Sequence, residues 1–376
     1  MLTPSHESSP LLGETSRPLN LNRQFNSVLK LSPLNILLVF FPLGILSKIF
    51  EWNNTSIFVL NFIAIVPLAK LLSFATEEIA LKTNQSVGAL VNASFGNLTE
   101  LILTVFALRE GLIKVVQASL LGSILSNTLL VLGASLLAGG IYHPEQTFNP
   151  DSIQATNSMM SISVVSFVIP AAFFTVSNDL NLMLDLSRVI SIILLILYVL
   201  YLVFQLKTHA SYFQDTNHEE EEEPKLTLFV SIALLIMITV CLAFSAEYLV
   251  GSIEGISETW GLSEAFVGLI LLPLVGNAAE HVTAITSAAQ NKMGLALGVA
   301  LGSSLQIALF VVPFTVLLAW AMGLELSLHF SIFETVILFL SVFLCNGIVS
   351  DGKSNWLEGV MLLALYVMVG YAFYIV

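Results

Sequence analysis

The chain has 376 residues, of which 56% are hydrophobic and only 10% charged, with a formal net charge of −13. A soluble domain carries roughly 25% charged residues, so this composition argues against an ordinary globular fold, and the acidic balance argues against nucleic-acid binding. The decisive pattern is a series of apolar stretches near the length of about 20 residues needed to cross a hydrocarbon layer.

Residues 1–33 are polar, rich in Ser, Pro and Asn, and are read as a flexible cytosolic tail without the early apolar core of a cleaved signal peptide. Eleven apolar segments follow, at about 34–50, 57–80, 86–108, 115–138, 157–177, 187–206, 226–252, 262–289, 293–322, 328–349 and 356–375. Short connectors such as 82–85 and 291–292 suit antiparallel neighbours. Cys241 and Cys345 sit alone in separate apolar runs and read as packing residues.

The sixth and seventh segments are separated by His-Glu-Glu-Glu-Glu-Glu-Pro at 218–224, which cannot enter a bilayer. Glu219, Glu220, Glu221, Glu222 and Glu223 form either a solvated linker or a regulatory strip that attracts cations to a pore mouth. The expected organisation is therefore a tail at 1–33, a first transmembrane helix and luminal loop at 34–56, a five-helix repeat at 57–206, an acidic cytosolic linker at 207–225, and a second five-helix repeat at 226–376. With the N-terminus cytosolic, eight Lys and Arg residues fall on that side (Arg17, Arg23, Lys30, Lys82, Lys207, Lys225, Lys292 and Lys353) and four opposite (Lys48, Arg109, Lys114 and Arg188). That bias favours a cytosolic N-terminus. Eleven crossings then put Val376 on the luminal side, together with possible glycosylation tripeptides at 53–56.

The halves align at an offset of 180 residues without a gap. Gly96, Asn97 and Glu100 fall on Gly276, Asn277 and Glu280; Val87 and Gly88 on Val267 and Gly268; Gly122 and Ser123 on Gly302 and Ser303. The matched helices are the third and eighth, an odd number of crossings apart, so the copies are expected to be inverted, as in many secondary transporters. Within Gly-Asn-x-x-Glu the amide and the carboxylate share one helix face, and Gly96 and Gly276 are candidate kink points.

A carboxylate at the bilayer centre costs at least about 2.5 kcal/mol and should face a partner, cavity or ion. Inversion brings Glu100 and Glu280 together near the midplane. Their oxygens, with Asn97, Asn277 and Thr99 and with backbone carbonyls, match the six to eight oxygen ligands that calcium prefers. After the metal leaves, protons relieve the repulsion between the two carboxylates. Glu77, Glu78 and Glu247 are candidates for an ion or proton path, with capping or interfacial charge as the alternative. His281, beside Glu280, is either a proton carrier or a packing residue. Ser123, Ser126, Ser303 and Gln306 lie on the small-residue helices that follow each motif and are candidates to line the site.

Gly-Asn-Leu-Thr-Glu-Leu and Gly-Asn-Ala-Ala-Glu-His, with Gly-Leu-Ile-Leu-Leu-Pro before the second, Ala-Leu-Gly-Ser-Ser-Leu-Gln after it and Ser-Asn-Trp-Leu-Glu-Gly at 354–359, resemble the cation/proton exchanger family, closely its vacuolar calcium/proton exchangers. The likeness runs from the second helix to the C-terminus. It implies an all-α polytopic membrane protein of one N-terminal helix plus two inverted five-helix repeats. It also implies export of cytosolic Ca2+ into an acidic compartment against H+, with Glu100 and Glu280 as central ligands, Asn97 and Asn277 assisting, and no enzymatic cofactor. Glu7, Leu11 and Leu12 form an acidic dileucine pattern that resembles vacuolar sorting signals. The rival readings are a sodium-driven exchanger, a passive channel and an intramembrane protease. Against the last, Glu280 and His281 stand in Ala-Glu-His-Val-Thr and not in His-Glu-x-x-His. Manganese or another divalent cation as substrate, and the oligomeric state, are not fixed by these features.

Overall fold

The computed structural model describes residues 21–83, 85–213 and 224–375, and the architecture is helical as expected. The five-glutamate run 219–223 and the dileucine pattern lie outside the described residues. In chain order the helices are α1 (Leu21–Leu29), α2 (Pro33–Ile49), α3 (Asn54–Leu81), α4 (Gln85–Phe95), α5 (Leu98–Arg109), α6 (Ile113–Tyr142), α7 (Pro150–Ser177) and α8 (Leu180–Thr208). The second half supplies α9 (Leu228–Val250), α10 (Ile253–Trp260), α11 (Glu264–Gly276), α12 (Ala278–Ala289), α13 (Met293–Ala321), α14 (Ile332–Asp351) and α15 (Trp356–Ile375).

Among the described residues eight of these helices are long and apolar enough to cross a bilayer, and a ninth span forms if α10 and α11, bent by 118°, count as one. The eleven expected crossings exceed that number. The difference lies in α2, which is short, and in α4 with α5 and α11 with α12, each pair sharing one apolar segment split into two helices. Helix α10 was not expected, because its residues fall between the seventh and eighth apolar segments.

Local chemistry sets the helix ends. Asn53 Oδ1 accepts from Ser56 N at 2.7 Å at the start of α3, and Asp179 Oδ1 accepts from Asn181 N and Leu182 N at the start of α8. Ser331 and Glu334 form a reciprocal capping box on α14. In the Ser-Asn-Trp-Leu-Glu-Gly stretch, Asn355 Oδ1 caps Leu357 N and Glu358 N while Glu358 accepts from Asn355 N. Gly359 then lets α15 meet the backbone of α6 at Gly133 and Leu137. A two-stranded clip, β1 (Gln146–Thr147) against β2 (Lys353–Ser354), ties the α6–α7 loop to the α14–α15 loop, and Lys353 pairs with Glu145 at 2.9 Å.

The packing is layered. In its most apolar 18-residue stretch 83% of α6 is buried, as is 61% of the corresponding stretches of α3 and α13, against 28–33% for α7, α8, α9, α14 and α15. The outer helices turn Val176, Phe229, Phe343 and Val367 outward, the apolar belt that a hydrocarbon solvent requires.

Candidate functional site

Both Gly-Asn-x-x-Glu motifs sit where helices break. The helical path leaves α4 before Asn97 (φ −105°, ψ 28°) and α11 before Asn277 (φ −87°, ψ 16°), and resumes as α5 and α12. Neither Gly96 nor Gly276 takes a positive φ. Gly276 instead provides close approach, since a Cβ there would lie 3.2 Å from Oε1 of Glu100.

The breaks interlock across the halves. Asn97 Nδ2 donates to Gln306 Oε1 on α13 at 2.6 Å, and Asn277 Nδ2 reaches the Ser123 carbonyl on α6 at 3.5 Å. Each amide is thus held by the other half. That leaves the acceptor oxygens unused: Asn97 Oδ1, Asn277 Oδ1, both carboxylate oxygens of Glu100 and Oε2 of Glu280 are buried without a hydrogen-bond partner. Unpaired buried acceptors are costly. Five of them, two from amides and three from carboxylates that act on each other electrostatically, form an oxygen set suited to a hard cation. Among the described residues no three His, Cys, Asp or Glu side chains cluster for a metal.

The two glutamates differ in access. Glu280 lines a cavity of about 640 Å³ whose walls include Glu77, Thr283, Gly302, Ser303 and Gln306 and which extends to Asn149, Tyr212 and Phe213. Glu100 lies with Ser123 and Gly276 beside a void of only 10 Å³. Access is one-sided: the large cavity reaches Glu280 and does not reach Glu100.

The remaining expected residues separate. Glu77 is exposed in the large cavity, held by Ser73 Oγ at 3.1 Å. Glu78, next in sequence, faces away: its oxygens accept from Lys225 N and Leu226 N at 2.8–3.1 Å, fastening α3 to the chain that leads into α9. Glu247 is half-buried on α9 and lines neither cavity. His281 donates from Nδ1 to Asn277 O at 2.6 Å and sets Nε2 3.5 Å from Ser126 Oγ, so both residues brace the second break. Ser126 opens a π-helical stretch, Ser126–Val131, and Gln306 precedes the corresponding one, Ile307–Val311. Such bulges re-aim side chains near functional sites.

Sequence reasoning missed Lys70, whose Nζ donates to Thr283 Oγ1 at 3.0 Å beside this cavity. An unpaired basic residue inside an apolar span was the available signal.

Comparison with known proteins bears on family and fold. The sequence profile of the sodium/calcium exchanger protein family matches residues 53–207 and 230–375, one match in each half. The chain is 50% identical to the vacuolar calcium ion transporter of Schizosaccharomyces pombe, over 98% of this chain and 93% of that one. It is 42% identical to a Ca(2+)/H(+) antiporter of Synechocystis, over 90% and 96% of the two chains. Among solved structures, native YfkE superposes with a TM-score of 0.80 at 36% identity, covering 91% of this chain and all of that one (100%). The H+/Ca2+ exchanger CAX, at 14% identity and a TM-score of 0.72, shares the fold.

Proposed function

The chain belongs to the sodium/calcium exchanger protein family, and from that membership we propose that it exchanges cytosolic Ca2+ for luminal H+ across the membrane of an acidic organelle, by alternating access. The observation that carries this reading is the pair Glu100 and Glu280, one from each half, with five unpaired buried oxygens on the two helix breaks.

In the mechanism, Glu280 meets an incoming Ca2+ at the end of the open cavity. Glu100 closes over it from the shut side, and Asn97 Oδ1 and Asn277 Oδ1 complete the shell. Asn97 and Asn277 are positioned for this by Gln306 and by the Ser123 carbonyl. The bound metal screens one carboxylate from the other. Once it departs, protons take its place, so a single site serves both ions and neither crosses with the site empty and charged. The two halves act as inverted repeats of five helices, and the second exposes its glutamate when the first closes. Glu77, exposed in the same cavity, draws cations inward.

Reconstituted vesicles test the function. Calcium uptake should follow an acid-inside pH gradient in the absence of sodium and collapse when a protonophore removes that gradient. Uptake driven by a sodium gradient alone would identify a sodium-coupled exchanger, and calcium flux indifferent to both gradients a channel. Orientation has its own test: in intact vacuoles a tag ahead of Met1 should be cut by added protease and a tag after Val376 protected. Cleavage of both would overturn the eleven-crossing arrangement.

A further inference from the structure

Lys70 lies within α3, eleven residues before its end at Leu81, which at 1.5 Å per residue is about 16 Å inside the helix. An ammonium at that depth is costly and needs a partner or a cavity. Among the described residues it makes no ion pair. Its bond is to a neutral acceptor: Thr283 Oγ1 donates its proton to Ala279 O at 2.9 Å and accepts from Lys70 Nζ at 3.0 Å. Thr283 stands one turn beyond Glu280 on α12, and both line the large cavity. Lys70 acts electrostatically on Glu280, with a sign opposite to that of Glu77.

A hydroxyl is a weak resting place for an ammonium when a carboxylate lies one turn away. Lysine carries its charge on a flexible four-carbon stem with rotatable donors, and residues three apart on a helix are neighbours, about 5–6 Å between Cβ atoms. A change of rotamer therefore moves Nζ between Thr283 and Glu280 without moving either helix.

We propose that Lys70 is a tethered cation that competes with the transported metal for Glu280, turning onto Glu280 while the site is empty and resting on Thr283 once the metal has entered from the open cavity. This rests on the reading of Glu280 as a metal ligand. Lys70 touches the site only through that exchange, so it is a positioning and affinity-setting residue. Its positive charge weakens metal binding on the cavity side and so sets the calcium concentration at which the exchanger engages.

The experiment is equilibrium Ca2+ binding to the purified full chain, with thermal stability and initial uptake rates measured on the same preparations. Lys70→Gln is expected to bind Ca2+ at least about tenfold more tightly, because a like charge is removed from a low-dielectric site. Its KM for calcium uptake should fall with it, because the entering metal no longer competes with a tethered cation. Lys70→Arg keeps the charge and should stay near the unaltered affinity. Thr283→Ala removes the resting place and should weaken binding severalfold; this variant decides the matter if Lys70→Gln does not fold. Unchanged Ca2+ affinity in Lys70→Gln, with or without lower thermal stability, makes Lys70 a packing residue and overturns the proposal, as does unchanged affinity in Thr283→Ala. Glu280→Gln separates the two failures. If it binds Ca2+ as tightly as the unaltered chain, the metal site itself is misassigned and this proposal falls with it. If it loses binding while Lys70→Gln leaves affinity unchanged, the site stands and only the Lys70 role is lost.

Discussion

Glu100→Gln and Glu280→Gln are each expected to reduce proton-driven calcium uptake by at least about 100-fold, the scale of the roughly 3 kcal/mol lost when one partner of a buried charged group is removed. The amide keeps the side-chain shape but removes one negative charge and one proton site, so metal binding and proton return should fail together. Insertion and folding should survive, because an uncharged amide enters a bilayer more readily than a carboxylate. Glu→Asp should retain partial activity at best: the shorter arm withdraws oxygens that calcium holds at about 2.3–2.6 Å. Asn97→Ala and Asn277→Ala each remove one neutral oxygen and should weaken binding by less than either charge change. The measurements are uptake into vesicles and equilibrium calcium binding to purified protein. Normal exchange in either Gln variant would make the two glutamates structural and remove the shared-site mechanism.

Both motif glutamates were legible in the sequence because polar side chains stand out in apolar spans and because a common offset of 180 residues ties them together. Their burial on opposing helix breaks follows from that pattern. The parts that were not legible depend on which way a helix turns. Glu77 and Glu78 are neighbours in sequence, yet successive residues on a helix point about 100° apart, so one faces the cavity and the other ends on the backbone of Lys225 and Leu226. The tertiary partner of Glu78 lies about 147 residues away, beyond the reach of any local pattern. Glu247 stands out as an acid within an apolar segment but lines neither cavity. The glycines of the motifs suggested kinks, whereas the dihedral break falls on Asn97 and Asn277 and Gly276 gives room to Glu100. Sequence symmetry also cannot say which glutamate the open cavity reaches, because one conformation must break it.

That broken symmetry is sharpest at Gly122 and Gly302, equivalent positions in the two repeats, and opposite outcomes are expected when each is enlarged. On the shut side α6 and α11 interlock through glycines. A Cβ at Gly122 would run into the backbone carbonyl of Leu269, and one at Gly268 would lie 2.9 Å from Val115 O. Backbone cannot give way as a side-chain tip can. Gly122→Leu is therefore expected to cost at least about 3 kcal/mol, the upper range for overpacking, and to yield little monodisperse protein. Gly302, lining the open cavity, has nothing within 4 Å of its Cβ position. Gly302→Leu should fold with near-normal thermal stability and keep its calcium-binding oxygens. If transport exchanges the roles of the halves, however, α13 must pack in the opposite state as α6 packs here, with Gly302 against the segment equivalent to Leu269. A leucine blocks that contact and holds the cavity open. Exchange should then fall by about tenfold or more, which corresponds to a penalty of only about 1.4 kcal/mol on the closing step, while equilibrium calcium binding persists. A Gly302→Leu variant that folds and transports at the normal rate would show that the second state is reached without the mirrored helix contact, and the symmetric form of alternating access would have to be abandoned.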